Sequence, residues 1–325
     1  MVAGIERYKR GPMLPLPPAQ IQETPAPREV GFPGFNQHPL KGTVLAGQGS
    51  GYFAVLVADS GALDRDWASP RLPGSHGGRA LALWLREQGL GSLRFDKRMF
   101  GSRDSHLDTS LDAQVGDLKA ALAAARALPE ARGRKFLLVG HGEGALLALV
   151  ASMEADALLL LAMPGQTMAK TLTEQLKPQL PVEKAGPNLA YLGAVFQAIR
   201  DDRPTPKAGP EVYPALARLG LSLMAPETLA FVKATLDLDP WAMASRVAAP
   251  VAVAWGGKDV QAWRSETLPA GFRGAVLTLP EANHLLKREP RPRAELNGAN
   301  ALEGYGDDRP LADLSPLAEW LKGLR

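Results

Sequence analysis

The chain contains no cysteine. Disulfides, thiolate nucleophiles and cysteine-bound zinc or iron–sulfur centres are therefore excluded, and a fold of 325 residues must rest on its hydrophobic core. Histidine is scarce as well. Of the five histidines, His38 and His106 have no partner at metal-ligand spacing, so neither a metal nor a cofactor is expected. Charge of one sign is also missing: 37 Lys and Arg stand against 34 Asp and Glu, interspersed along the chain, for a net +3. That balance gives no case for a nucleic-acid partner. Long apolar runs are absent too, the longest aliphatic stretches resembling Ala157 to Met163, far short of the ~20 residues that cross a bilayer. Met1 to Arg10 carry charge and are followed by Gly11 and Pro12, where a secretory signal needs an apolar core. A cytoplasmic protein without a membrane partner is expected.

What is present is a globular composition, 46% hydrophobic and 22% charged, which excludes wholesale disorder, collagen and coiled coil. Six prolines between Pro12 and Pro27 deny backbone donors and favour extended chain, so residues 1–29 read as a proline-rich N-terminal arm. From Val30 short β-type runs alternate with helical segments, the pattern of a mostly parallel sheet with crossover helices. Strands are expected at Tyr52 to Ala58, Ser92 to Phe95, Lys135 to Val139 and Ala157 to Ala162. Helices are expected at Gly78 to Gln88, Ser110 to Leu128 and Ala145 to Met153. The second of these is the clearest, because Leu111, Val115, Leu118, Leu122 and Ala125 recur at spacings of 4, 3, 4 and 3. Between Gly165 and about Asp239 the strand signal gives way to proline-punctuated helical segments. It resumes at Val251 to Trp255 and Gly274 to Leu279, and an amphipathic helix with Leu317 and Leu321 closes the chain. The expected organisation is an α/β core of residues 30–164 and 241–325 interrupted by a helical cap insertion, 165–240.

The strand Lys135 to Val139 runs into Gly140-His141-Gly142-Glu143-Gly144 and then an apolar helix. Strand, sharp turn and helix with glycines flanking a central residue is the pattern of a nucleophile elbow, whose backbone bends too tightly for side chains at the flanking positions. Serine normally occupies the centre; here it is Gly142. The same residues satisfy G-x-G-x-x-A, but a dinucleotide site needs an acidic residue about 20 positions on. Leu158 to Ala162 stand there instead, so nucleotide binding is disfavoured.

These residues resemble the α/β-hydrolase superfamily, in particular the bacterial esterase and S9-peptidase-like branch whose elbow reads G-H-S-E-G-G. Asp64-Arg65-Asp66 is similar to that branch's G-S-G-P-x-D-R-D loop, and Leu93-Arg94-Phe95-Asp96-Lys97-Arg98 to its L-R-Y-D-K-R-G segment. Asp239-Pro240, Ala249-Pro250-Val251 and Trp255-Gly256-Gly257-Lys258-Asp259 resemble the strand and loop that deliver the family's acid. Asn283-His284-Leu285 resembles the loop that delivers its histidine. The resemblance implies an α/β-hydrolase fold in which Asp259 orients His284 and His284 serves as general base and acid. It implies an oxyanion hole built from the backbone N–H groups of Glu143 and Ser60. A small, apolar acyl or ester compound is the implied ligand.

Three departures bear on that expectation. Gly142 offers no hydroxyl. Asp59 stands where the family usually has glycine, and a carboxylate there repels developing negative charge unless it points away; it reads as a helix- or turn-capping group, with a deliberate pocket charge as the alternative. Met99 replaces a glycine near the expected pocket. Loss of the serine typically costs on the order of 10⁶ in turnover. Three readings follow: a disabled hydrolase, a non-catalytic ligand or partner binder, and direct activation of water by His284 in the space vacated at position 142. Bland roles are expected elsewhere: His141 packs beneath the elbow, Asp96 and Arg98 belong to a structural ion-pair cluster, and Ser75-His76 is polar surface.

Overall fold

In a computed structural model, residues 26–324 are described apart from 50, 71, 105, 263, 265–267 and 307. Residues 1–25 of the expected arm therefore lie outside the described part. The described chain divides into two compact units, one made of residues 103–112 and 166–239 and the other of the rest.

The larger unit is built on one eight-stranded sheet. Its strands are β1 (Arg28–Pro33), β2 (Pro39–Leu45), β3 (Tyr52–Val57), β4 (Gly91–Phe95), β5 (Lys135–His141), β6 (Ala157–Leu161), β7 (Val251–Gly256) and β8 (Ala275–Leu279). They lie in the order β1-β2-β4-β3-β5-β6-β7-β8. From β4 to β8 every pairing is parallel; β2 is antiparallel to both β1 and β4. The central strands YFAVLV and ALLLL are apolar throughout because helices cover both faces of a parallel sheet, and every residue of both is buried.

Helices α1 (Gly77–Glu87), α2 (Leu111–Arg126), α3 (Glu143–Val150), α8 (Pro240–Ala244) and α9 (Ser315–Gly323) accompany this sheet. In α2, Val115, Leu118, Leu122 and Ala125 are buried as their spacing requires, and so are Leu317 and Leu321 in α9. The edge hairpin β1–β2 is new relative to the sequence reading, and it takes Arg28 and Glu29 out of the expected arm. Its first strand is mostly exposed and ends on Pro33, which an edge tolerates because it leaves no ladder partner unsatisfied.

The smaller unit is helical, with α4 (Met168–Leu176), α5 (Val182–Arg200), α6 (Pro214–Leu223) and α7 (Pro226–Thr235). Tyr191, Val195 and Ile199 follow each other at i, i+4 along α5 and pack with Leu216 and Val232 into a core of its own. Pro214 and Pro226 start their helices, where no N–H is needed. Among the described residues no single helix is long and apolar enough to cross a membrane.

Candidate active site

Parallel strands bring their C-terminal ends to one edge of the sheet, and the loops leaving those ends are where the implied site residues sit. Strand β5 ends at His141 and α3 begins at Glu143, so Gly142 alone makes the turn, at φ 55° and ψ −118°. A side chain in that backbone conformation is strained by about 1–3 kcal/mol, and glycine removes the strain. Beneath it, a Cβ on Gly140 would lie 2.4 Å from the Gly144 carbonyl oxygen, backbone against backbone. Gly140→Ala is therefore expected to lower stability by about 1–3 kcal/mol or more, read as a lower urea midpoint at unchanged slope.

Because β3 pairs in parallel with β5, with Val57 opposite Gly140, the loop after β3 emerges beside the elbow. That loop carries Asp59. The loop after β7 carries Asp259, and the one after β8 carries His284. All three meet. His284 Nδ1 is 2.9 Å from Asp259 Oδ2, and its Nε2 is 2.9 Å from Asp59 Oδ2. The other oxygen of Asp59 accepts hydrogen bonds from the backbone N–H groups of Ser60 and Glu143, both at 2.7 Å. A Cβ built on Gly142 would fall 2.1 Å from Asp59 Oδ1 and 2.2 Å from its Cγ. The carboxylate thus fills the volume that an elbow side chain requires.

This places each expected residue and corrects several expectations. Gly142, Asp259, His284, Ser60 and Glu143 do converge, but both backbone donors are engaged by Asp59. Asp59 does cap the first N–H of α3, yet its carboxylate points toward Gly142 and His284. Both ring nitrogens of His284 are held by carboxylates, so direct activation of water, one of the three readings, requires Asp59 to move away from Nε2. Asp96 and Arg98 pair separately: Asp96 with Arg65 at 2.8 Å, and Arg98 with Asp117 at 2.6 Å. Ser75 is buried, not surface, and its hydroxyl donates to the Trp67 carbonyl.

Electrostatics follow from the packing. Burial disfavours a charged His284, but Asp259 and Asp59 outweigh it and push its pKa up to about 10. Burial likewise opposes a charged Asp59, and the His284 hydrogen bond and charge win, holding this carboxyl well below its ordinary range. His141 is moved the other way, down to about 4, first by burial and then by the charge of His284. Burial raises the pKa of the Tyr305 phenol, and the charge of Asp259 raises it further.

The sign for stability is definite. A histidine whose folded pKa exceeds its unfolded value near 6.5 stabilises the fold fully below about pH 6.5 and loses that contribution as pH rises through about 10. Asp59, with its pKa lowered, stabilises above about pH 4 and loses that contribution in acid. In chelator, urea midpoints are expected to fall between pH 7 and 10, and Asp59→Asn is expected to flatten that decline.

Residues the sequence reading passed over complete the surroundings. Lys97 Nζ reaches the Asp59 carbonyl oxygen at 2.9 Å and Glu143 Oε1 at 2.6 Å, tying the β4 loop to both halves of the site. Its only signal was its place in the L-R-F-D-K-R segment. Trp67 stacks on His141, with ring centroids 4.8 Å apart and planes 22° from parallel. Nothing local in the sequence marks that contact. His141 Nε2 lies 2.7 Å from the His284 carbonyl oxygen, so it is the donor nitrogen of this neutral ring.

With this geometry in hand, the chain can be set beside known proteins. No family model matches it. Over 265 residues, 76% of this chain, it is 24% identical to the esterase EstD of Thermotoga maritima, and it spans 58% of that relative's length. The structure of the esterase Pf2001 of Pyrococcus furiosus aligns with a TM-score of 0.50 at 17% identity, covering 92% of each chain. The strand order, the parallel core and the tight turn between β5 and α3 agree with that likeness: the chain has the α/β-hydrolase fold.

Proposed function

We propose that this chain is an esterase-type hydrolase framework whose acyl-enzyme chemistry is switched off, and that its natural ligands are small acyl or ester compounds. The observation that carries the reading is the Asp59 carboxylate. It sits against Gly142 and takes both backbone donors and the imidazole that an acylated serine would use. The loss at position 142 is thus matched by an occupant, as expected for a site no longer selected for a serine. In the intact triad of this scheme, Asp259 holds the imidazole and His284 moves the proton, while Glu143 and Ser60 bind the oxyanion. Likeness to the Thermotoga maritima esterase supports the ester class. Residues 165–240 keep their reading as a cap insertion, supported by their self-contained helical core and their place between β6 and β7.

The test is turnover of short-chain p-nitrophenyl esters in chelator, together with binding of the same esters followed by ligand-observed NMR. The expected result is binding without a burst, and hydrolysis no faster than roughly 10³–10⁴ over water. A burst or ordinary esterase turnover by the unaltered chain overturns the proposal.

A further inference from the structure

Asp59, His141 and His284 place one ligand-type atom each within 4.8 Å of one another. They come from three different loops or strand ends, and no local spacing announced them. Each has the outer partner that a metal ligand needs. His284 Nδ1 is held by Asp259, leaving Nε2 toward the cluster. His141 Nε2 donates to a backbone carbonyl, which fixes the tautomer and leaves Nδ1 as a bare lone pair. Asp59 Oδ1 is held by two N–H groups, leaving Oδ2. A histidine whose far nitrogen donates to a carboxylate or carbonyl is the usual arrangement around bound zinc.

An independent observation concerns His141. Its side chain is 1% exposed, and its Nδ1 is buried with no hydrogen-bond partner among the described residues, 4.0 Å from Asp59 Oδ2. An unpaired buried acceptor costs about 1–3 kcal/mol. Charge agrees. Two carboxylates, Asp59 and Asp259, face the one imidazole of His284, while Lys97 is paired with Glu143. A divalent cation held among these groups meets the carboxylates and gives the Nδ1 lone pair its partner.

We propose that Asp59, His141 and His284 form a binding site for a divalent transition-metal cation of the zinc type. Two imidazoles and one carboxylate suit such an ion better than magnesium or calcium, which prefer oxygen alone. Bond lengths of about 2.0–2.2 Å require donor separations of roughly 3.3 Å in a tetrahedral site. The 2.9 Å between Asp59 Oδ2 and His284 Nε2 must open slightly and the 4.0 Å to His141 Nδ1 must close by movement of the 24% exposed carboxylate, and the two imidazole nitrogens, within 4.8 Å of each other, must also draw together by rotation of the rings. Three protein ligands leave a coordination position for water. The inference goes beyond the proposed function, since a chelated protein meets the esterase test whether or not this site exists.

The experiment is calorimetric titration of the EDTA-stripped full-length protein with Zn²⁺, and visible spectroscopy with Co²⁺. One equivalent of Zn²⁺ is expected to bind, with Co²⁺ giving the intense d–d absorption of a four-coordinate site. His141→Phe keeps a flat ring against Trp67 and is expected to weaken binding by roughly 10²-fold or more, as is Asp59→Asn. His106→Asn is expected to change nothing. Should His141→Phe fail to fold, Asp59→Asn decides, because the asparagine carbonyl still accepts from the Ser60 and Glu143 N–H groups. Absence of saturable one-equivalent binding, or binding undiminished in Asp59→Asn, overturns the proposal.

Discussion

Gly142→Ser combined with Asp59→Gly is expected to convert the protein into a working esterase, whereas either substitution alone leaves it nearly silent. The serine alone fails on space and charge. Its Cβ would collide with the Asp59 carboxyl at 2.1–2.2 Å, and the carboxylate would keep both backbone donors and the imidazole occupied. The glycine alone frees Ser60 N, Glu143 N and His284 Nε2 but supplies nothing to attack an ester. It also removes one of the two carboxylates that hold His284 protonated, which returns the ring toward the range where it acts as a base. Only the pair restores nucleophile, base and oxyanion donors together.

The parts of a triad act as a unit worth on the order of 10⁶ in turnover, so the gain is expected to be strongly non-additive, about 10³-fold or more over either single variant. Serine at φ 55° adds about 1–3 kcal/mol of strain, which the fold must absorb. The measurements are kcat on p-nitrophenyl acetate and labelling of position 142 by a fluorophosphonate. If Gly142→Ser alone matches the double variant, Asp59 is not the obstacle.

The second large effect concerns the scaffold of the same site. Arg98→Met is expected to destabilise the protein by about 3–5 kcal/mol, because it strands Asp117 as an unpaired buried charge. The two side chains are 3% and 4% exposed and bonded at 2.6 and 2.7 Å. Asp117 also accepts the Phe35 N–H, and Arg98 donates to the Phe35 carbonyl, so the pair pins the β1–β2 connection to α2. A drop in Tm on the order of 10 °C is expected, and Asp117→Asn in the Arg98→Met background is expected to recover part of it by removing the stranded charge. Lys97 precedes Arg98, so loosening this anchor also loosens the lysine that holds Asp59 and Glu143. An unchanged melting temperature in Arg98→Met would show that water reaches Asp117.

Much of this was legible residue by residue. The 4, 3, 4, 3 spacing in α2, the leucine run of β6 and the glycines around position 142 report local periodicity and backbone geometry, which neighbouring residues impose on one another. Motif order likewise carried Asp259 and His284 to the loops after β7 and β8. What local pattern could not carry is the direction of a side chain across the fold. Asp59 points inward because position 142 leaves it a space, and that space is a property of a residue 83 positions away. Arg98 chooses Asp117 over Asp96 because α2 and the β1–β2 connection meet the loop after β4, and His141 presents a bare nitrogen to Asp59 because β3 and β5 end at the same edge. Sequence alone determined the α/β architecture and the glycine turn at position 142, since both are written in short-range spacing. Tertiary structure alone decided what fills the gap, because burial and charge at that edge are settled only when separate loops meet.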